Sequence, residues 1–221
     1  MPVKSVPLVR SLFGFYQTCQ QSDVAFLPTL GAYAWRKLQG FNILAPLSTK
    51  IRGLRNISTP HGMLNLLLSC GPVDGTGPTR LHVRGKLRLL GGLALGRGCM
   101  IDVGPNAVME VGDNTYINPR TQVIIHHGLR IGRDCSISWE CQFLDEDFHE
   151  IHYEGKRPSL GNDIVIGDHV WIGSRVSVYK GTVIPNGCVV ASNSVVKGVF
   201  TEENALLAGN PARVVRRNVR W

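Results

Sequence analysis

Residues 166–196 read IGDHVW-IGSRVS-VYKGTV-IPNGCV-VASNSV-V when cut every six positions. Each block opens on an aliphatic side chain: Ile166, Ile172, Val178, Ile184, Val190, Val196. An α-helix repeats every 3.6 residues and a strand every two, so neither element alone produces this period. Self-similarity at a fixed short period marks a solenoid, in which each turn buries its apolar face only against the next. A period of six fits a triangular β-helix, with one short strand per side and one aliphatic residue per side pointing inward. The same spacing recurs in Val111, Ile117, Val123 and in Ile131, Ile137, Phe143, and more weakly in Leu89, Leu95, Ile101, Ala107.

The intervening residues agree. Gly132, Gly167 and Gly173 follow an aliphatic where the chain must turn and a Cβ would clash. Four positions after the aliphatic stands a mostly small side chain, as in Thr115, Cys135, Cys141, Val170, Val176, Thr182, Cys188 and Ser194. These residues are expected inside the coil, the cysteines as small buried hydrophobes. No Cys-x-x-Cys pair or zinc-ligand spacing is present, and no metal is expected.

The period divides the chain. Residues 1–80 lack it and read as an N-terminal cap, with helical patterns over Val9–Gln20 and Ala32–Leu38 and a loop over Gly71–Pro78. The β-helix is expected over 81–212, followed by a basic tail over 213–221. One long break interrupts it, the loop 144–165, which holds two of the seven histidines and six of the sixteen acids. Loops on a rigid scaffold are where binding and catalysis concentrate.

A net charge of +8 suits an anionic partner: a nucleotide phosphate, a lipid surface or nucleic acid. The cluster Arg213, Arg216, Arg217, Arg220 favours a local phosphate site, and no nucleic-acid motif accompanies the charge. The apolar stretch Val24–Leu47 is broken by Pro28, Gly31, Arg36, Lys37 and Pro46, so it does not read as a membrane span. No secretory leader is evident, and free cysteines suit the cytoplasm. The apolar and basic first 80 residues could still bring the protein to the inner face of a membrane.

Three motifs make the pattern specific: Asp145-x-Asp147-Phe148-His149 in the loop, Ile166 to Ser174 in the coil, and Gly209-Asn210-Pro211-Ala212-Arg213 to Arg216 near the end. Together they resemble the hexapeptide-repeat O-acetyltransferases. The likeness is to the maltose/galactoside acetyltransferase-like branch, nearest the sugar O-acetyltransferases of polysaccharide biosynthesis, and covers about residues 85–217.

The resemblance implies an all-β, left-handed parallel β-helix, a homotrimer with active sites between subunits, acetyl-CoA as donor and a sugar or glycan as acceptor. It implies His149 as general base, supported by Asp145 or Asp147, with His152 a neighbouring candidate. It places Trp171, Gly173 and Ser174 beside the thioester, with a backbone N–H of Gly173 or Ser174 meeting the oxyanion. It places Ser192, Lys197, Arg213 and Arg216 on CoA, although Lys197-Gly198 stands where the family has Thr-Lys. Asn118 matches an acceptor-side asparagine, and His126 stands where the simple-sugar enzymes have aspartate. Trp139 and Glu140 are candidates for a sugar platform and a hydroxyl-binding acid. The alternatives are transfer to an aminosugar nitrogen or to serine, a γ-type carbonic anhydrase using His126, His127, His149 and His152, or a non-catalytic trimeric scaffold.

Overall fold

The computed structural model describes residues 12–68, 77–152, 154–156 and 159–221. Among these residues the strands form three sheets of nine, seven and six members, and the chain visits them in rotation as far as Val195–Val196, after which the last two strands both join the first sheet. The first face runs from Ile43–Leu44 through Leu64–Leu68, Leu93–Gly96, Thr115–Ile117, Ser136–Ile137, Trp171–Ile172 and Val189–Val190 to the hairpin of Leu206–Gly209 and Ala212–Arg216. The second face includes Arg80–Val83, Gln122–Ile125, Gln142–Leu144 and Ser177–Tyr179, and the third includes Lys86–Leu89, Gly128–Ile131 and Ile164–Ile166. All pairings are parallel except the final hairpin. The result is a three-sided parallel β-helix.

Every periodic aliphatic points into it. Ile117, Val123, Ile137, Phe143, Ile172, Val178, Val190 and Val196 are fully buried in one continuous core. The small positions are buried too, and they do more than fill space. Cys135 Sγ donates to the Gly167 carbonyl at 3.1 Å, Cys141 Sγ to Gly173 at 3.1 Å, and Thr115 Oγ1 to Gly132 at 2.9 Å. Each bond ties a corner carbonyl of the next coil, an acceptor that a hydrophobic side chain would leave unsatisfied. Burial pushes the Cys135 and Cys141 thiols up to about 11.

Glycine after the aliphatic is a matter of close approach. A Cβ on Gly132 would lie 2.3 Å from Asp168 Oδ1, and one on Gly167 would lie 2.5 Å from Asn186 Oδ1.

The broken six-residue registers have one cause. Ile101 to Val111, Val123 to Ile131 and Phe143 to Ile166 are the three places where the count slips. All three lie where the chain passes from the second face to the third. From Leu89 to Val196 the other two corners keep the count. Ile172 pairs with Val190 eighteen positions on, whereas Ile137 pairs with Ile172 thirty-five positions on, yet the ladder between them is unbroken. The long loop is therefore a lateral excursion from a stack that closes beneath it.

Two boundaries differ from the sequence reading. Parallel strands of the coil begin at Ile43 rather than 81, because irregular spacing hides the early coils from a six-residue count. The helices α1 (Leu12–Gln21) and α2 (Phe26–Leu38) occupy what precedes them. α2 starts six residues earlier than the pattern suggested, with Pro28 tolerated in its first turn. Phe15 and Cys19 pack on Leu44 and Leu67, while Ile43, Ala45 and Leu66 face the coil interior, so the helices lie against the outside of the first face. The expected tail is also structured. Ala212–Arg216 forms a strand, and Trp221 returns to the coil, where it stacks on His169. Most of the loop read at Gly71–Pro78 lies outside the described residues.

Candidate functional site

The variable corner gathers one group of candidates. Asp145 enters the loop with its side chain fully buried. Its Oδ1 accepts from the His126 backbone N–H at 2.8 Å, and its Oδ2 accepts from those of His127 at 2.7 Å and Gly128 at 2.8 Å. Burial pushes this carboxyl up from its ordinary value, against the opposing pull of the three donors. The carboxylate is thus spent on the backbone of the preceding coil, not on the imidazole of His149.

Asp147 is also spent elsewhere, its Oδ2 lying 2.6 Å from Lys180 Nζ. The Lys180 side chain is only 10% exposed, and its ammonium also donates to the carbonyls of Ser159 and Leu160. One cation therefore fastens the outgoing and returning arms of the loop together. The Asp147 N–H donates to the Leu160 carbonyl at 3.0 Å, and Glu146 bridges to Gly161.

His126 belongs to this base as well. Glu146 Oε2 lies 3.0 Å from His127 Nε2 and 3.7 Å from His126 Nδ1. The His126 ring meets Phe148 edge-on, with centroids 5.1 Å apart. The next residue, His149, is exposed and forms no hydrogen bond or ion pair among the described residues. His152 lies 3.4 Å from Glu150 through Nε2. An open imidazole thus sits on a loop whose root is held by Asp145, Glu146 and Lys180.

Between the first and second faces stands a second group. Asn118 is buried and its Nδ2 donates to the Ile137 carbonyl at 3.0 Å. Glu140 Oε1 accepts from Arg120 Nε at 3.0 Å and Nη2 at 2.6 Å, so this acid is an ion-pair partner rather than a free hydroxyl acceptor. Trp139, beside it, keeps an exposed ring. The Gly173 N–H donates to the Val190 carbonyl at 2.8 Å and is committed to the ladder. A Cβ there would lie 2.7 Å from the Ser192 nitrogen, so the residue's role is steric. The Ser174 N–H donates to Ser192 Oγ at 3.1 Å, and a hydroxyl rotation would release it. Of the two oxyanion donors expected, only that of Ser174 can be freed without breaking the coil.

Trp171 stands exposed on the first face, its indole N–H donating to Ser138 Oγ at 3.2 Å. Trp221 approaches it with ring centroids 6.1 Å apart, lies flat on His169 at 4.2 Å, and donates through Nε1 to the His169 carbonyl at 3.1 Å. Beyond, Gly209 pairs with Ala212 across a cis Asn210–Pro211 bond. Arg213 and Arg216 project as exposed side chains from the hairpin, Arg213 donating to the neighbouring Ala212 carbonyl. Lys197 follows the strand Val195–Val196 on the second face, whereas Ser192 precedes it, so the strand separates them.

Sequence reasoning missed Lys180, Glu146, Ser138 and Trp221. Lys180 had a usable signal, since its place in the six-residue count sets it one coil below the loop. Among the described residues no group of three His, Cys, Asp or Glu side chains is placed to hold a metal.

The pattern of the bacterial transferase hexapeptide family (six repeats) matches residues 163–198. The chain is 35% identical over 206 residues to an "Uncharacterized 24.8 kDa protein in cps region" of Klebsiella pneumoniae, covering 92% of each. It is 31% identical over 132 residues to the "Putative lipopolysaccharide biosynthesis O-acetyl transferase WbbJ" of Escherichia coli K12, covering 55% of this chain and 67% of that one. Among solved structures, the polySia-specific acetyltransferase NeuO superposes with a TM-score of 0.52 at 22% identity, over 81% of this chain and 74% of that one. The fold is the left-handed parallel β-helix of acyltransferases. The chain belongs to the hexapeptide-repeat family, among its O-acetyltransferases.

Proposed function

We propose that the protein transfers the acetyl group of acetyl-CoA to a sugar hydroxyl in the synthesis of a surface polysaccharide or lipopolysaccharide. The observation that carries this reading is His149, an open imidazole on an otherwise laced loop at the one long break of the coil. Its ring nitrogen takes the hydroxyl proton as the sugar oxygen attacks the thioester carbonyl. The C–S bond then breaks, and the CoA sulfur leaves with the proton held by His149. Asp145 and Asp147 serve as positioning residues through the loop root, and the Ser174 N–H is the releasable donor for the oxyanion. Residues 164–166 and 171–172 are rigid strands on either side of His169, which supports a fixed place for Trp171 beside the thioester.

The two groups of candidates stand at different corners of the coil, with the second face between them. That separation supports a homotrimer in which neighbouring copies bring unlike corners together around one donor. The name of the Escherichia coli relative, which places it in lipopolysaccharide biosynthesis, supports a glycan acceptor.

An acceptor screen tests the reaction. Purified protein with acetyl-CoA should release thiol with glycans or nucleotide sugars and give alkali-labile O-acetyl esters. Acetylated serine or a sugar amide, with no ester detected, would refute the proposal. The donor side has its own test. Arg213 and Arg216 offer guanidinium forks suited to CoA phosphates. Replacing both with Ala should raise the KM for acetyl-CoA about tenfold, equivalent to ~1.4 kcal/mol. The deficit should shrink as salt screens the wild type. A wild type that does not distinguish CoA from dephospho-CoA, together with a double mutant of unchanged KM, would remove both arginines from the site.

A further inference from the structure

We propose that α2 is a membrane-docking helix that seats the protein on an anionic lipid surface. Along α2 the exposed positions are Leu27, Gly31, Ala34, Trp35 and Leu38, together with Pro28 and Lys37. The first five fall at steps of four, three, one and three, which is a single stripe of helix. Every member of that stripe is apolar, and Leu27, Trp35 and Leu38 are 73%, 64% and 84% exposed. The opposite side of the helix is already used, since Thr29 is buried and Phe26, Leu30 and Tyr33 pack toward α1 and the coil. The stripe therefore contributes nothing to the fold of the single chain. Leu12, Phe13 and Tyr16 on α1 extend the exposed apolar surface, with Tyr16 edge-on to Phe26 at 5.5 Å.

The charge around this surface selects its partner. Neither helix contains an acid. Residues 1–68 contain seven basic residues (Lys4, Arg10, Arg36, Lys37, Lys50, Arg52, Arg55) against Asp23 alone, which is six of the chain's eight net positive charges. A second copy presenting the same face would bring like charges together, whereas a lipid surface bearing phosphates neutralises them. Trp35, with the exposed Lys37 near it in the last turn, has the aromatic and cationic character of side chains that sit at the headgroup level. Among the described residues no helix is long and apolar enough to cross a membrane, so the contact is peripheral. The inference stands apart from the acyl-transfer reading, because the stripe lies outside both candidate corners and activity on a water-soluble acceptor does not depend on it.

The test uses the full chain and two kinds of vesicle, phosphatidylcholine alone and phosphatidylcholine mixed with phosphatidylglycerol. The wild type should sediment with the mixed vesicles, at least tenfold more than with the neutral ones, and lose that binding as salt rises. Leu27→Glu/Trp35→Glu/Leu38→Glu should abolish sedimentation while keeping the wild-type melting temperature and thiol release from acetyl-CoA with a soluble acceptor. Brominated phosphatidylglycerol should quench wild-type tryptophan fluorescence, and the conservative Trp35→Phe should lose most of that quenching, so the result does not depend on the triple variant folding. Equal sedimentation with both vesicles, quenching unchanged in Trp35→Phe, or a drop in oligomer mass in the triple variant would overturn the proposal. The last outcome would make the stripe a contact between copies.

Discussion

His149→Ala should leave a folded, fully assembled protein whose kcat has fallen by about 10²–10⁴-fold, or roughly 3–5 kcal/mol of barrier. The loss should fall on turnover rather than on the KM for acetyl-CoA, because the imidazole acts on the acceptor proton. The fold should not notice, since His149 is exposed and holds no other group. His152→Ala is the control, its ring engaged with Glu150 at the loop surface, and should keep most of its turnover. Steady-state kinetics on proteins with matched circular dichroism decide the matter. Near-normal turnover in folded His149→Ala would remove the proposed base and with it the mechanism.

Ile172→Asp should be the most damaging single change to the coil. Ile172 is fully buried and its backbone pairs with Ile137 above and Val190 below. A carboxylate there has no partner in a stack of aliphatic side chains. It must either remain charged without solvent or take up a proton and leave a polar group unsatisfied. A cost of about 4 kcal/mol or more corresponds to a fall in melting temperature of about 8–16 °C for a chain of this size. Ile172→Val, which removes one methylene, should cost only about 1 kcal/mol. Soluble Ile172→Asp protein with an unchanged melting temperature would mean that the inward register is misassigned.

The coil was legible because its physics is local. One inward aliphatic per side, a small neighbour four positions on and glycine where coils nearly touch are repeated constraints, and repetition turns them into a countable period. The first two coils escaped the count because their corners vary, so stacking rather than sequence spacing defines them. The candidate site was legible in its residues but less so in their roles. His149 stands open at the loop. Asp145 and Asp147 look identical in sequence to catalytic partners, yet one collects three backbone N–H groups and the other meets Lys180. Glu140 is likewise taken by Arg120, one coil away and twenty positions apart in sequence. Carboxylates choose partners by what the stack brings beside them, and that depends on coil lengths that vary at one corner. The Trp221 contact with His169 spans fifty-two positions and has no counterpart in any local pattern.

The proposed reaction hands a thiol back to solution at every turnover, and the buried thiols have a chemical consequence for it. Cys19, Cys99, Cys135, Cys141 and Cys188 are all buried and none forms a disulfide. With Cys135 and Cys141 pushed up to about 11, roughly one part in ten thousand of each is thiolate at neutral pH, and thiolate is the form that attacks disulfides. These side chains are therefore kinetically silent toward oxidised CoA and toward aromatic disulfide dyes. A colour-forming dye in the assay therefore leaves these five core thiols untouched. The same dye, added during heating, becomes a stopwatch for coil opening, because each core cysteine reacts only when the stack above or below it lifts away.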